Sequence, residues 1–217
     1  MSTAQDEHLV TSQDELTRLY GAPDEAVKVK AIPHLDEHCR AFIAASPFAV
    51  VSTVGDDGTC DASPRGGAPG FCDVTGPTTI VLPDQPGNRR LDTVRNIVAT
   101  GRIGMLFLIP GMRETLRVNG RATITSDPEL LARYTDGRRP PVAAIVVDME
   151  EAYLHCAKAF IRSSLWDPAS WARPEGLASP ARIWKDHMAL ADMTVEELQG
   201  YLDDDYANNL RWGDREA

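Results

Sequence analysis

Arg89 and Arg90 stand side by side behind Leu82-Pro83-Asp84-Gln85-Pro86-Gly87-Asn88, in a chain whose net charge is −10. An apolar run, Thr79 to Leu82, stops at proline, glycine and asparagine, and the two cations follow at once. Asn88 suits a helix N-cap, and the pattern predicts a helix from about Arg89 to Ala99 with Leu91, Val94, Ile97 and Val98 on one side. Two arginines in a first turn oppose the helix dipole by themselves. An anion held between them reverses that, and helix N-termini bind phosphate for this reason. Phosphate binding is therefore the chemistry expected at Gly87-Asn88-Arg89-Arg90, with a solvated arginine pair as the alternative.

The surrounding sequence is unusually cationic. Arg65, Arg89, Arg90, Arg95, Arg102, Arg113, Arg117 and Arg121 stand against Asp61, Asp73, Asp84, Asp92 and Glu114, with no lysine between Asp61 and Arg121. That segment is +3, which leaves −13 on the rest of the chain. Arginine is the residue suited to planar, bidentate recognition of phosphate or carboxylate. Within Ala62-Ser63-Pro64-Arg65-Gly66-Gly67, Ser63 and Arg65 alternate with Ala62 and Pro64, which places both on the face expected for Arg117. Proline inside a strand marks an edge or a bulge, and the glycines let a planar ligand approach the backbone. The alternative is a strand running into a glycine-rich loop. Lys158, Arg162 and Trp166 recur at helix-like spacing, either as charge and an aromatic cover for a ligand or as an amphipathic surface segment.

Other chemistries find less support. His34-Leu35-Asp36-Glu37-His38 matches the H-x-x-E-H pattern, but no downstream acidic helix offers a third zinc ligand, so a polar helix face and no metal are expected. Cys39, Cys60, Cys72 and Cys156 form no CxxC pair and are expected to be reduced, small buried apolar residues without a catalytic role. His155 and Cys156 are neighbours on a strand and point to opposite faces, which argues against a nucleophile–base pair. The sequence lacks the P-loop, the nucleophile elbow and the dinucleotide-binding glycine motif in its strand–helix setting. The acidic balance argues against nucleic acid and anionic membranes as partners. With no signal-peptide pattern and no apolar run near the ~20 residues of a membrane helix, a cytoplasmic location is expected.

The elements that must position these residues are mostly strands. Ser12-x-x-Glu15 and Thr194-x-x-Glu197 are capping boxes, Pro33 is expected to open a helix running to about Ala45, and Asp127-Pro128 caps a short one. Phe48 to Val54 reads as a strand, Gly55 to Gly58 as its turn and Thr59 to Arg65 as the return. Thr78 to Leu82 and Ile103 to Ile109 are further strands, and the strand from Val142 continues to about His155. In Glu114–Thr125, Leu116, Val118, Gly120, Ala122 and Ile124 take one face; Thr115, Arg117, Asn119, Arg121 and Thr123 take the other. Short strands with one crossover helix predict a closed antiparallel barrel, mainly β with flanking helices. The expected organisation is a helical arm over 1–45, the barrel over 46–168 and a helical extension of the same domain over 169–217.

The order of Ala62-Ser63-Pro64-Arg65, then Leu82 to Leu91, then Glu114-Thr115-Leu116-Arg117-Val118-Asn119-Gly120-Arg121-Ala122, resembles the pyridoxamine 5'-phosphate oxidase-like flavoproteins. Their fold is the FMN-binding split β-barrel, antiparallel and of Greek-key type. The resemblance covers roughly residues 45 to 168, and it is strongest to a branch with the segment His155-Cys156-Ala157-Lys158. It implies a homodimer with FMN at the subunit interface. Asn88, Arg89 and Arg90 match the turn that holds the FMN phosphate. Ser63, Arg65 and Pro83 fall in the matching motifs beside it, and Thr115 and Arg117 on the strand that meets the flavin from the partner chain. Lys158, Arg162 and Trp166 are carried over from the segment beyond the last strand. The true oxidases end in an arginine-x-histidine pair for pyridoxal; this sequence has none, which argues against vitamin B6 oxidation itself. The function implied is FMN-dependent oxidoreduction of a small substrate. The alternatives are a split barrel handling haem or a deazaflavin, and a flavin-binding protein without turnover.

Overall fold

The alternation in the sequence becomes burial in the strands. In the computed structural model, which describes residues 8–85, 89–135, 141–171 and 174–209, strand β1 (Phe48–Val54) buries Ala49 and Val51 completely and turns Phe48 and Ser52 outward. The other strands are β2 (Cys60–Gly66), β3 (Asp73–Val74), β4 (Thr79–Asp84), β5 (Arg102–Leu108), β6 (Thr115–Thr125) and β7 (Ala143–His155). They form one seven-stranded sheet in the order β2-β1-β5-β6-β7-β4-β3. Every neighbouring pair is antiparallel. The expected closed barrel is therefore not closed by backbone pairing among the described residues: β2 and β3 are its margins. Pro64, which cannot donate to a ladder, sits in the marginal strand β2 as its chemistry requires.

The chain divides into two compact units at Ile32/Pro33. In the first unit, α1 (Gln13–Tyr20) is closed by the expected capping box, with Ser12 Oγ accepting from Glu15 N–H at 3.2 Å and Glu15 accepting from Ser12 N–H at 3.1 Å. The five-residue α2 (Glu25–Val29) also lies in this unit. The second unit holds the sheet and α3 (Glu37–Ala45), which sequence reading assigned to the N-terminal arm and started at Pro33. The helix begins later because Asp36 accepts from Cys39 N–H at 2.8 Å, satisfying a first-turn donor that Pro33 has no side-chain acceptor to meet. Arg40 ties α3 to the β3–β4 hairpin through the carbonyls of Gly76 (2.7 Å) and Val74 (3.4 Å), and also donates to Leu35 O at 3.0 Å.

Helix α4 (Asp92–Thr100) packs against β1, β2, β5 and β6. Thr100 Oγ1 donates to Val54 O at 2.8 Å and Asn96 to Thr53 Oγ1 at 3.1 Å, so the crossover is anchored by polar contacts as well as by buried Ile97. Helix α5 (Pro128–Ala132) closes over Val81 and Ala144 with Leu131, and consecutive residues Ile80, Val81 and Leu82 are all buried in consequence. Beyond β7 come α6 (Lys158–Ser163), a 3-10 turn at Pro168–Ser170, α7 (Pro180–His187) and α8 (Val195–Asn209). The last two pack on each other around Ala181, Leu198 and Leu202, and Thr194 and Glu197 complete the second capping box. Among the described residues no helix is long and apolar enough to cross a membrane.

The β6–β7 ladder carries one irregularity. Asn119 pairs with Glu151 and Gly120 with Met149, so Glu150 is an extra residue on β7. It meets Arg102 at 3.3 Å and Arg121 at 3.4 Å, which accounts for two of the clustered arginines as one ion triad.

Candidate functional site

Strand register decides which arginines can meet. Ser63 lies opposite Val51, Val51 opposite Met105, and Met105 opposite Val118, so Ser63 shares its face with core residues. Arg117 lies opposite Leu106, which lies opposite Val50, which lies opposite Pro64. Ser63 and Arg65 therefore face inward and Arg117 outward, contrary to the shared face read from sequence. Spacing within each strand cannot reveal this, because the relative phase of two strands is set only when they pair.

Arg65 Nε stands 3.7 Å from Asp84 Oδ1, although β2 is one margin of the sheet and β4 lies next to the other. The sheet has curled until its margins approach, and the gap between them is a cleft of about 360 Å³. Ser63, Arg65, Pro83, Asp84, Arg89 and Arg90 all line it. Five of the eleven sequence-predicted site residues are thus brought together at one seam. Asn88 lies outside the described residues.

The turn differs from expectation. Helix α4 starts at Asp92, so Arg89 and Arg90 precede it instead of filling its first turn. Arg89 and Leu91 both have left-handed backbone, with φ of 60° and 63°, and such residues cannot belong to a right-handed helix. Leu91 occupies the N-cap position without a side-chain cap. Arg90 Nε donates to Asp92 Oδ2. Ser63 Oγ donates to Asp61, 3.0 Å away, and Thr93 Oγ1 donates to the same carboxylate at 2.6 Å. Asp61 thus pins the start of α4 to β2 and directs the Ser63 proton away from the cleft. Asp61, Thr93 and Asp84 escaped the sequence reading because their roles rest on contacts between separate strands and helices.

Three guanidinium groups and an uncapped helix start line one cleft, a donor set that fits a phosphate dianion. Asp84 moderates it. Burial pushes its carboxyl above the ordinary aspartate range, and the Arg65 charge only partly offsets this.

The remaining candidates lie elsewhere. Arg117 is exposed on the outer face, where its Nη1 donates to Tyr153 Oη at 3.0 Å and its guanidinium lies 5.8 Å from the Tyr153 ring centre. It borders a shallower hollow of about 310 Å³ with Val50, Leu106, Asn119 and His155. Thr115 is 2% exposed, so the first residue of β6 departs from the polar face assigned to it. Lys158 and Arg162 are exposed on α6, and neither they nor Trp166 line the cleft. Trp166 Nε1 donates to Met112 O at 2.7 Å and its ring stacks on Phe160. That folds the segment after β7 back onto the loop before β6. Because α3 starts at Glu37, His34 and His38 do not share a helix face.

The cysteines divide into two kinds. Cys39 and Cys72 are buried, whereas Cys60 and Cys156 are exposed, against the expectation that all are buried. Burial, with Asp36 beside it, pushes the Cys39 thiol up to about 11, and burial drives Cys72 higher still. A thiol reagent at pH 8 should therefore label two cysteines promptly in the native protein and all four after unfolding. Prompt labelling of all four in folded protein contradicts this assignment.

The chain matches the family model described as pyridoxamine 5'-phosphate oxidase over residues 35–156. No curated protein matches it. Among solved structures it is similar to HupZ of Group A Streptococcus, at 20% identity over 55% of this chain and 92% of that one, with a TM-score of 0.47. It is also similar to the conserved protein Rv2991 of Mycobacterium tuberculosis, at 14% identity over 70% and 96% of the two chains and a TM-score of 0.45. General stress protein 26 of Bacillus anthracis is 15% identical over 52% and 88%, with a TM-score of 0.40.

Proposed function

Because the chain belongs to the pyridoxamine 5'-phosphate oxidase family, we propose that it is an FMN-dependent oxidoreductase acting on a small molecule, with FMN held between two copies of the chain. The observation that carries this reading is the convergence of Arg65, Arg89 and Arg90 on the seam cleft. The phosphate of FMN would lie against Arg89, Arg90 and the start of α4, in the cleft that Arg65 also lines. Bound FMN would supply hydride acceptance and donation, and the chain's task is to bind it, orient it and keep water from its ring.

The dimer is supported by the two faces. Arg65 faces inward and Arg117 outward, so residues that the family gathers at one flavin are separated within a single chain. A second copy that presents its Arg117 face to the seam would complete the site.

The test starts with the purified protein. Mass spectrometry and absorbance should identify FMN as the co-purifying cofactor. Anaerobic NADH or NADPH should bleach it, and reoxidation by candidate acceptors should then be observable. The mass of the FMN-loaded protein in solution should be that of a dimer. Co-purified haem or deazaflavin, FMN that no donor reduces, or an FMN-loaded monomer would each overturn the corresponding part of the proposal.

A further inference from the structure

The cleft that carries three arginines also carries its own carboxylates. Arg65 and Asp84 form a pair whose side chains are only 24% and 19% exposed. Arg90 donates to Asp92, and this pair is more exposed, at 78% and 38%. Both aspartates line the same cleft as the arginines. Asp84 ends β4, and Asp92 opens α4. A phosphate placed among these guanidiniums meets two negative charges already there.

We propose that Asp84 and Asp92 are internal counter-ions which occupy Arg65 and Arg90 in the unliganded protein, and which a phosphate monoester displaces on binding. The inference rests on the reading of the cleft as a phosphate site and adds what sets its affinity. A phosphate dianion carries two charges and so matches the two carboxylate charges that it replaces, whereas a carboxylate or sulfonate brings only one. The counter-ions lower affinity for every anion and leave the dianion favoured. They also neutralise the cationic seam when no anion is bound. That matters most at Arg65, because a charge removed from water without a partner is costly. The raised affinity of Asp84 for its proton is in keeping with a carboxylate held there at some expense.

The competing account is that Asp84 orients Arg65 toward the phosphate. The two accounts differ in sign. FMN, riboflavin and inorganic phosphate are titrated against the apoprotein, against Asp84→Asn and against Asp92→Asn. The asparagines keep size and shape while removing the charge. FMN should bind about tenfold more tightly to Asp84→Asn and about threefold more tightly to Asp92→Asn, the smaller effect following from greater exposure of that pair. Inorganic phosphate should follow FMN, and riboflavin should be unchanged. Asp92 is exposed enough for its variant to fold even where Asp84→Asn does not, so the sign can be read from either. Unchanged or weakened FMN binding in the folded variants would overturn the counter-ion role. Riboflavin bound as tightly as FMN by the original protein would instead overturn the phosphate site, and the counter-ion role with it.

Discussion

Replacing Arg89 and Arg90 together by Ala is expected to weaken FMN binding by at least about a hundredfold and to leave riboflavin binding unchanged. A charge-assisted hydrogen bond to phosphate contributes roughly 1.5–3 kcal/mol, and each 1.4 kcal/mol is a factor of about ten. Two such losses account for the hundredfold at their lower limit. Folding should survive. Alanine keeps the β-carbon, so the left-handed backbone at Arg89 (φ 60°) is no more strained than before. Removing Arg90 leaves Asp92 in the first turn of α4, where the helix dipole favours a negative charge. Calorimetric titrations of FMN and riboflavin against both proteins decide the matter. Equal FMN affinity would reduce the pair to a solvated face and send the search for the phosphate to Arg65, Arg117 or Lys158.

Gly120→Ala should be among the most destabilising single methyl additions in this protein. A β-carbon at Gly120 would lie 2.4 Å from Asp148 O and 2.7 Å from Met149 Cα. Both are backbone atoms of the central β6–β7 ladder, at the bulge that expels Glu150, so neither can move without disturbing the strand. Overpacking of this kind costs roughly 3 kcal/mol, at the upper end of the usual range, which for a domain of this size lowers Tm by about 10 °C. Gly200 in α8 supplies the control. Nothing lies within 4 Å of a β-carbon there, and a helix interior prefers Ala by up to about 1 kcal/mol. Thermal unfolding of the two variants should move in opposite directions. An unchanged Tm for Gly120→Ala would show that the bulge is not the tight contact described.

The elements read correctly from sequence are those whose cause is local. The capping boxes at Ser12/Glu15 and Thr194/Glu197 join residues three apart, and both form. The strand Phe48–Val54 and the burial of Leu116, Val118, Gly120 and Ala122 follow from period-two alternation against one core. Helix starts were less legible. Helix α3 begins after Asp36, whose side chain accepts from Cys39 N–H, and not at Pro33. Helix α4 begins at Asp92, after the left-handed Leu91, and not at about Arg89.

By itself, then, the sequence determined the chemical inventory: an arginine-rich segment in an acidic chain, strands able to bury one face, and a family resemblance carried by Ala62 to Arg65, Leu82 to Leu91 and Glu114 to Ala122. Tertiary structure alone decided which of these residues meet. It turned Ser63 and Arg65 inward and Arg117 outward, and brought Asp84 to 3.7 Å from Arg65 across the seam. It bound Ser63 and Thr93 to Asp61 and left two cysteines exposed. The physical reason is that a side chain's direction along one strand follows from the pleat, whereas its neighbours on other strands follow from register and curvature. Those arise only when strands far apart in the chain pair and the whole sheet twists around its core.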